Sequence, residues 1–166
     1  MNKQNYIIRT AEKKDLEAIR EIYNEAVLNS TSTFDIEPRT KKQQVEWFRQ
    51  HKGIYSVIVY EINGEVKGWA ALSKWSNRPA YKDTAENSVY VKKEFRNQGI
   101  GKALLNQLIK NAGQVGLHTI IARIASENEI SIKIHKDFGF EIMGVMKEAG
   151  KKFGKYIDVT FMQKML

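Results

Sequence analysis

Hydrophobic and polar residues alternate with two different periods along this chain, and each change of period marks a new element. Four segments repeat apolar residues at the helical spacing of three and four, and seven others are short β-rich runs. Four helices are predicted, one after Thr10, one over residues 41–51, one from Gly99 and one over residues 126–139. The apolar face of the first contains Leu16, Ile19, Tyr23, Ala26 and Val27, and that of the third contains Ala103, Leu104, Leu108, Ile109 and Ala112. The predicted strands cover residues 5–9, the two runs of 54–72, and residues 86–91, 117–125, 140–147 and 156–166.

Local turn and cap signals support this order of elements. Asn63-Gly64 lies between two β-rich runs and predicts a hairpin. Thr40 is placed to cap the second helix, and Gly139 to end the fourth. The order β-α-α-β-β-β-α-β-α-β-β predicts one α/β domain over residues 1–166, with a mixed sheet and helices on both faces.

Composition and charge limit the types of site and ligand that this chain can have. The chain has no cysteine, which excludes disulfides, cysteine zinc sites and thiol nucleophiles. His51 and His118 have no acidic or histidine neighbours at metal-binding spacing, so we predict no metal site. The net charge of +8 favours anionic ligands, although the lysines are scattered and are mostly expected on the solvated surface. We find no apolar core of a secretion signal and no 18-residue apolar run, so we expect a cytoplasmic protein without a membrane partner.

The stretch FRNQGIGKALL, residues 95–105, joins a predicted strand to a predicted helix. Unpaired amides and the helix dipole favour an anion at such a junction. A P-loop would need a hydroxyl after Lys102, where Ala103 stands, and a dinucleotide fingerprint would need a third glycine at Leu104. What remains is R-x-x-G-x-G, formed by Arg96, Gln98, Gly99 and Gly101, which suits a pyrophosphate but also suits a plain tight turn.

Two motifs and the element order resemble the GNAT acetyltransferase family. The glycine loop is similar to the family's motif A, and SENEISIKIHKDFGF, residues 126–140, is similar to the motif that follows it. The segments YNEAVLNSTSTF, WSNRPAYKDTAENSVYV, IHKDFGFE and FGKYIDVTFMQ further resemble the phosphinothricin and methionine sulfoximine acetyltransferase branch, over nearly the whole chain. The resemblance implies a mixed, mostly antiparallel sheet of about seven strands, acetyl-CoA as the co-substrate, and a homodimer.

The resemblance also implies which residues contact the cofactor. Backbone groups of Val89, Tyr90 and Val91 would hold the pantetheine like an added strand, with the Val91 amide facing the thioester oxygen. Asn128 would bond the pantetheine, although asparagine also suits a helix N-cap. The remaining implied cofactor residues are Arg96, Asn97, Gln98, Gly99, Ile100, Gly101, Lys102 and Ser131.

The same resemblance implies catalytic and acceptor residues. Glu86 would be the general base, acting through water on an amine that attacks directly through a tetrahedral intermediate. His135 would be the acid for the thiolate, where many relatives carry tyrosine. The acceptor pocket would contain Phe34, Trp75, Arg78, Tyr81 and Glu86, with Arg78 gripping an α-carboxylate. From the residues alone, Glu86 could be an exposed strand-end glutamate, His135 a half-buried structural histidine, and the segment 75–81 a surface loop.

The resemblance favours acetyl transfer to the amine of a small amino-acid-like molecule. A peptide N-terminus, a polyamine or an aminoglycoside are alternative acceptors, since this fold hosts many. A non-catalytic acyl-CoA-binding protein and a nucleic-acid-binding protein are alternatives of another class. No helix-turn-helix, zinc-finger or RNP signature is present, so we predict no nucleic-acid partner.

Overall fold

The computed structural model describes residues 6–166, which form seven strands, four α-helices and three short 3-10 turns. The strands are β1 Tyr6–Thr10, β2 Val57–Ile62, β3 Glu65–Lys74, β4 Thr84–Val91, β5 Thr119–Ala125, β6 Glu141–Lys152 and β7 Lys155–Met165. The helices are α1 Leu16–Asn29, α2 Lys41–Gln50, α3 Ile100–Gln114 and α4 Glu129–Asp137.

All seven strands belong to one mixed sheet with the order β1-β2-β3-β4-β5-β7-β6. Only the central pair β4 and β5 is parallel, and these strands pair over just three positions, from Thr84 opposite Thr119 to Glu86 opposite Ile121. On its other side β4 pairs with β3 from Ala85 to Val91. The second edge of β4 is therefore unpaired after Glu86, and a cleft opens between β4 and β5.

Each face of the sheet carries its own hydrophobic core, because side chains alternate across a strand. On one face, α1 packs Ile19 and Val27 against Val59 and Trp69. On the other, α3 packs Leu104 and Leu108 into a larger cluster that also takes residues from α4. The predicted α/β class, with a mostly antiparallel seven-stranded sheet between helices, is confirmed.

Most predicted boundaries agree with the structure. The Thr40 hydroxyl accepts a hydrogen bond from the Gln43 amide and caps α2, and Asn63 and Gly64 have the positive φ angles of the predicted hairpin turn. β4 starts two residues earlier than predicted, and β6 continues to Lys152 instead of ending at 147. Within residues 6–166 no helix has the length and apolar character needed to cross a membrane.

Candidate active site

The loop between β4 and α3 presents a run of free backbone donors. Asn97 and Gly99 both have positive φ, at 61° and 83°, which turns consecutive N–H groups towards one side. Within residues 6–166, none of the amides of residues 97–102 donates a hydrogen bond, and the first bond of the helix runs from the Ala103 amide to the Gly99 carbonyl. Six consecutive unpaired donors at a helix N-terminus are a chemically suitable arrangement for a pyrophosphate-like anion.

Gly101 keeps the space beside these donors open. A Cβ atom there would meet only Val91 Cγ2, at 3.8 Å, so nothing in the protein requires glycine at this position. The missing side chain instead leaves room for an anion to approach the backbone closely. The free amides and this open space fit the coenzyme A pyrophosphate that the sequence predicts.

The charged side chains of the loop already have protein partners. Arg96 donates to the Val91 carbonyl at 3.1 Å and pairs with Glu25 of α1, and Lys102 pairs with Asp137 of α4 at 3.0 Å. These pairs are exposed or half-exposed, so an incoming phosphate could exchange with them at small cost. They tie the loop to α1 and α4 and fix its orientation.

The N-terminus of α4 faces the same cleft and is capped by the predicted asparagine. Asn128 Oδ1 accepts a hydrogen bond from the Ser131 amide at 3.1 Å, so the cap interpretation of this residue is confirmed. The Nδ2 group of Asn128 donates no hydrogen bond within the part of the chain that the structure describes. Asn128 can therefore cap the helix and bind a ligand at the same time.

His135 lies deeper, with only 5% of its surface exposed, and both ring nitrogens are engaged. Nδ1 is 2.8 Å from the Ser131 carbonyl, which can only accept, so this nitrogen carries the proton. Nε2 then accepts from Asn87 Nδ2 of β4 at 2.9 Å. Burial lowers the pKa of His135, against the opposing effect of the bond to Ser131, and favours the neutral ring.

Asn87 was not among the residues singled out in the sequence. Its Nδ2 group contacts His135, while its buried Oδ1 atom has no hydrogen-bond partner. Leaving a buried acceptor unpaired is costly, and such atoms often face a ligand or water. Its position on β4, next to Glu86, links the cleft strand to α4.

Glu86 lies on β4 where β4 and β5 separate, and it forms a bidentate ion pair. Arg123 of β5 donates from Nε to Glu86 Oε1 and from Nη2 to Oε2, both at 2.7 Å. The Glu86 side chain is 19% exposed and that of Arg123 52% exposed. The Arg123 guanidinium also lies 5.6 Å from the centre of the Trp75 ring. Glu86, Arg123 and Trp75 thus form one charged and aromatic group at the cleft, and Arg123 was missed in the sequence.

Other predicted acceptor residues lie on nearby loops. Arg78 precedes the short 3-10 turn Pro79–Tyr81 and Tyr81 ends it. Both residues are exposed, and the Arg78 side chain makes no hydrogen bond or ion pair among residues 6–166. Phe34 lies on the long loop before α2, where its ring packs on Gly150 of β6 so closely that a Cβ there would be 2.3 Å from it. Among the predicted pocket residues within residues 6–166, Glu86 and Trp75 both contact Arg123, Glu86 by its ion pair and Trp75 by its ring.

Buried tyrosines hold the loop that carries Phe34. The Tyr23 hydroxyl donates to Asp35 at 2.6 Å, and Tyr90 donates to the Ser32 carbonyl at 3.2 Å. Burial raises the pKa of Tyr23 to about 12, so its hydroxyl remains a donor at neutral pH. Lys152 of β6 donates to the Thr33 carbonyl at 2.8 Å. These bonds fix the long loop beside β4 on the sheet face that also carries Glu86.

Comparison with known proteins identifies this arrangement. Residues 8–161 match the family described as acetyltransferase (GNAT) domain. The chain belongs to the GNAT acetyltransferase family. The L-amino acid N-acyltransferase MnaT of Escherichia coli is 38% identical over 160 residues, 96% of this chain and 93% of the relative.

Two further GNAT relatives define the branch. The L-methionine sulfoximine/L-methionine sulfone acetyltransferase of Salmonella typhimurium is 39% identical over 161 residues, 96% of this chain and 94% of the relative. A phosphinothricin acetyltransferase of Sinorhizobium meliloti, solved in complex with acetyl-CoA, superposes with a TM-score of 0.94 at 37% identity and covers 97% of this chain and 88% of that one. The predicted family and branch resemblance are confirmed.

Proposed function

We propose that this GNAT protein transfers the acetyl group of acetyl-CoA to the amino group of a small amino-acid-like acceptor of the methionine sulfoximine, methionine sulfone or phosphinothricin type. One observation carries the proposal. A carboxylate, Glu86, lies in the cleft between β4 and β5, on the strand that leads into a helix N-terminus with six free amides. This arrangement supports a base and an anion site on one strand-to-helix unit.

Acetyl-CoA, when bound, supplies a thioester carbonyl that an amine can attack. On this proposal the free amides of residues 97–102 bind the pyrophosphate, and Arg96 and Lys102 add positive charge beside it. The unpaired edge of β4, which includes Val89, Tyr90 and Val91, offers backbone groups to the pantetheine. Asn128 Nδ2 and the Ser131 hydroxyl would complete the site from α4.

Glu86 would accept the proton that the acceptor ammonium must lose before it can act as a nucleophile. Its carboxylate is on the face of β4 that carries Tyr90 and packs towards α1, because residues two apart on a strand share a face. The acceptor would therefore approach from the α1 side and the long loop that carries Phe34. Arg78, Tyr81 and Trp75 would form the opposite wall of that pocket.

For the departing thiolate we infer a supporting role for His135. Its Nδ1–H donates to Ser131 and its Nε2 accepts from Asn87, so it has no free N–H to direct at a sulfur atom. The neutral, buried ring would hold Asn87 and thereby join β4 to α4. The proton would then come from water, and the role of His135 as general acid remains the alternative.

The proposal is tested by incubating the purified protein with acetyl-CoA and methionine sulfone, methionine sulfoximine or phosphinothricin. We expect release of free thiol in step with an acceptor product heavier by one acetyl group. A panel with peptides, polyamines and aminoglycosides tests the alternative acceptors. Absence of thiol release with every primary amine in the panel would refute acetyl transfer.

The predicted carboxylate grip of Arg78 has its own test. Arg78→Ala should raise the acceptor KM about tenfold or more, the usual consequence of losing a charge-assisted hydrogen bond, and leave the acetyl-CoA KM unchanged. Arg49→Ala, at an exposed position of α2, is a matched control. An unchanged acceptor KM in Arg78→Ala would remove Arg78 from the pocket.

We further propose that the chain forms a homodimer through β6, in the cytoplasm. β6 is the edge strand of the sheet and exposes Ile142, Met143, Val145 and Met146. An exposed apolar edge strand promotes aggregation of a monomer and is normally covered.

Acetylation of an inhibitor that resembles an amino acid would block its amino group, so we expect the enzyme to confer resistance to such compounds.

A further inference from the structure

The Glu86–Arg123 ion pair raises a chemical problem for the proposed base. Both oxygens of the Glu86 carboxylate accept a hydrogen bond from the Arg123 guanidinium, which balances its charge and occupies one lone pair on each oxygen. An ammonium that binds Glu86 must therefore either share the carboxylate with Arg123, so that two positive charges lie side by side, or replace one of the bonds from Arg123. Arg123 is half-exposed, and its side chain is therefore free to move on the cleft side.

An α-amino acid is the molecule that resolves this problem without leaving a charge unpaired. Its ammonium can bind Glu86 while its carboxylate binds Arg123, so one ion pair within the protein is exchanged for two with the ligand. A simple amine would pair with Glu86 but make no bond to the Arg123 guanidinium, so it would form one ion pair where an α-amino acid forms two. A polyamine would add further positive charge beside the same guanidinium.

We propose that Arg123 is a specificity-determining residue that binds the acceptor's carboxylate and, by leaving Glu86, frees the base only when an α-amino acid zwitterion is present. The inference rests on the proposed function and adds a second guanidinium to the one predicted at Arg78. The register of β4 and β5 places Ile121 opposite Glu86, and Arg123, two residues further along β5 and on the same face, reaches Glu86 with its side chain. Trp75, 5.6 Å away, keeps the guanidinium at the cleft by a cation–π contact.

The proton balance of the exchange is complete. The bound ammonium gives one proton to Glu86, directly or through water, and the amine then forms the N–C bond to the acetyl carbonyl. The C–S bond breaks when the resulting tetrahedral intermediate collapses. The second N–H proton of the attacking nitrogen and the proton on Glu86 leave to water and to the thiolate.

The experiment compares two acceptors that differ only in the carboxylate, methionine sulfone and methionine sulfone amide. With the unmodified enzyme we expect kcat/KM to favour the carboxylate form. Arg123→Gln should raise the KM of methionine sulfone about tenfold or more while changing the KM of the amide little, so the preference collapses. Arg123→Lys keeps the positive charge but lacks the paired N–H donors of a guanidinium, so its KM for methionine sulfone should lie between those of Arg123→Gln and the unmodified enzyme. Arg49→Gln, an identical change at an exposed ion pair on α2, should leave both acceptors unaffected.

A binding measurement without turnover gives a second readout. Methionine sulfone added in the presence of CoA should change the fluorescence of Trp75, identified by its loss in Trp75→Phe, and the amide should produce a much smaller change. The change should disappear in Arg123→Gln. The proposal would be overturned if Arg123→Gln lowered kcat equally for both acceptors and kept the kcat/KM preference for methionine sulfone over its amide. Arg123 would then only position Glu86. An unmodified enzyme that is active and favours the amide as much as the acid would overturn it too, whereas inactivity with every amine would refute the proposed function itself.

Discussion

The glycine loop gives a prediction in which stability and cofactor binding change in opposite directions. Gly101 lies in the first turn of α3 without a positive φ, and a Cβ there would touch only Val91 at the ordinary distance of 3.8 Å. Alanine is favoured over glycine in a helix by up to about 1 kcal/mol. Gly101→Ala should therefore leave the free energy of unfolding unchanged or raise it, by as much as ~1 kcal/mol.

The same methyl group would occupy the space that the pyrophosphate needs. Pushing the anion away from the loop loses about one charge-assisted hydrogen bond, which contributes about 1.5–3 kcal/mol. The Kd and KM for acetyl-CoA should rise roughly 10- to 100-fold, since each 1.4 kcal/mol is a factor of ten. The acceptor KM should not change.

Gly113 provides the matched control in the same helix. It is exposed, has no positive φ, and a Cβ there would meet nothing within 4 Å. Gly113→Ala should stabilise α3 by a similar amount and leave acetyl-CoA binding unchanged. Thermal unfolding gives the stability of both variants, and isothermal titration with acetyl-CoA gives the affinity. If Gly101→Ala binds acetyl-CoA as tightly as Gly113→Ala does, the loop does not hold the pyrophosphate.

Three other predictions follow from single contacts. Glu86→Gln should lower kcat about 10²- to 10⁴-fold, the usual contribution of a general base, and leave the affinity for acetyl-CoA intact. Full activity of this variant at every pH tested would contradict the role of Glu86 as the base. Burial lowers the pKa of both His51 and His135 below 6.5, so the unfolded chain binds protons that the folded chain excludes. The free energy of unfolding should therefore fall as the pH drops below about 6.5, by up to about 1.4 kcal/mol per pH unit for each histidine. In urea titrations over this pH range His135→Gln should flatten the slope relative to the exposed control His118→Gln, and an equal slope would show that His135 is not held neutral by the fold. Met146→Asp on β6 should convert a dimer of 19.1 kDa chains into monomers in light scattering, and a wild-type mass of one chain would contradict the proposed dimer.

The helices and the tight turns could be predicted because their causes are local. The Thr40 cap depends on Gln43, three residues away, and the hairpin depends on Asn63-Gly64 alone. The glycine loop is also local, since two positive φ angles within three residues create the run of free amides. Each of these signals depends on only a few neighbouring residues.

The length of β6 could not be predicted, because its pairing is irregular. Register shifts after Ile142 and Met146 break the alternation of apolar residues, and Glu148 has a positive φ of 50°. A two-residue period is the signal for a strand, and bulges remove it. Pairing with β7 maintains the strand beyond these bulges.

The composition of the site was only partly predictable, for a different reason. Glu86 and Arg123 are 37 residues apart and meet only because β4 and β5 are parallel neighbours in the sheet. Asn87 and His135 meet across 48 residues because α4 packs on the face of the sheet that carries Asn87. An arginine inside the run IIARIA is a departure from the apolar pattern, and this was the one signal that could have pointed to Arg123.

The central claim is acetyl transfer to an amino-acid-like amine with Glu86 as the base, and one assay tests it most directly. Purified protein and its Glu86→Gln variant are incubated with acetyl-CoA and methionine sulfoximine, and free thiol and acetylated product are followed together. The account predicts equal amounts of thiol and N-acetyl product with the unmodified protein, and a rate at least about 10²-fold lower with the variant. Thiol release without acetylated acceptor, or equal rates for the two proteins, would contradict it.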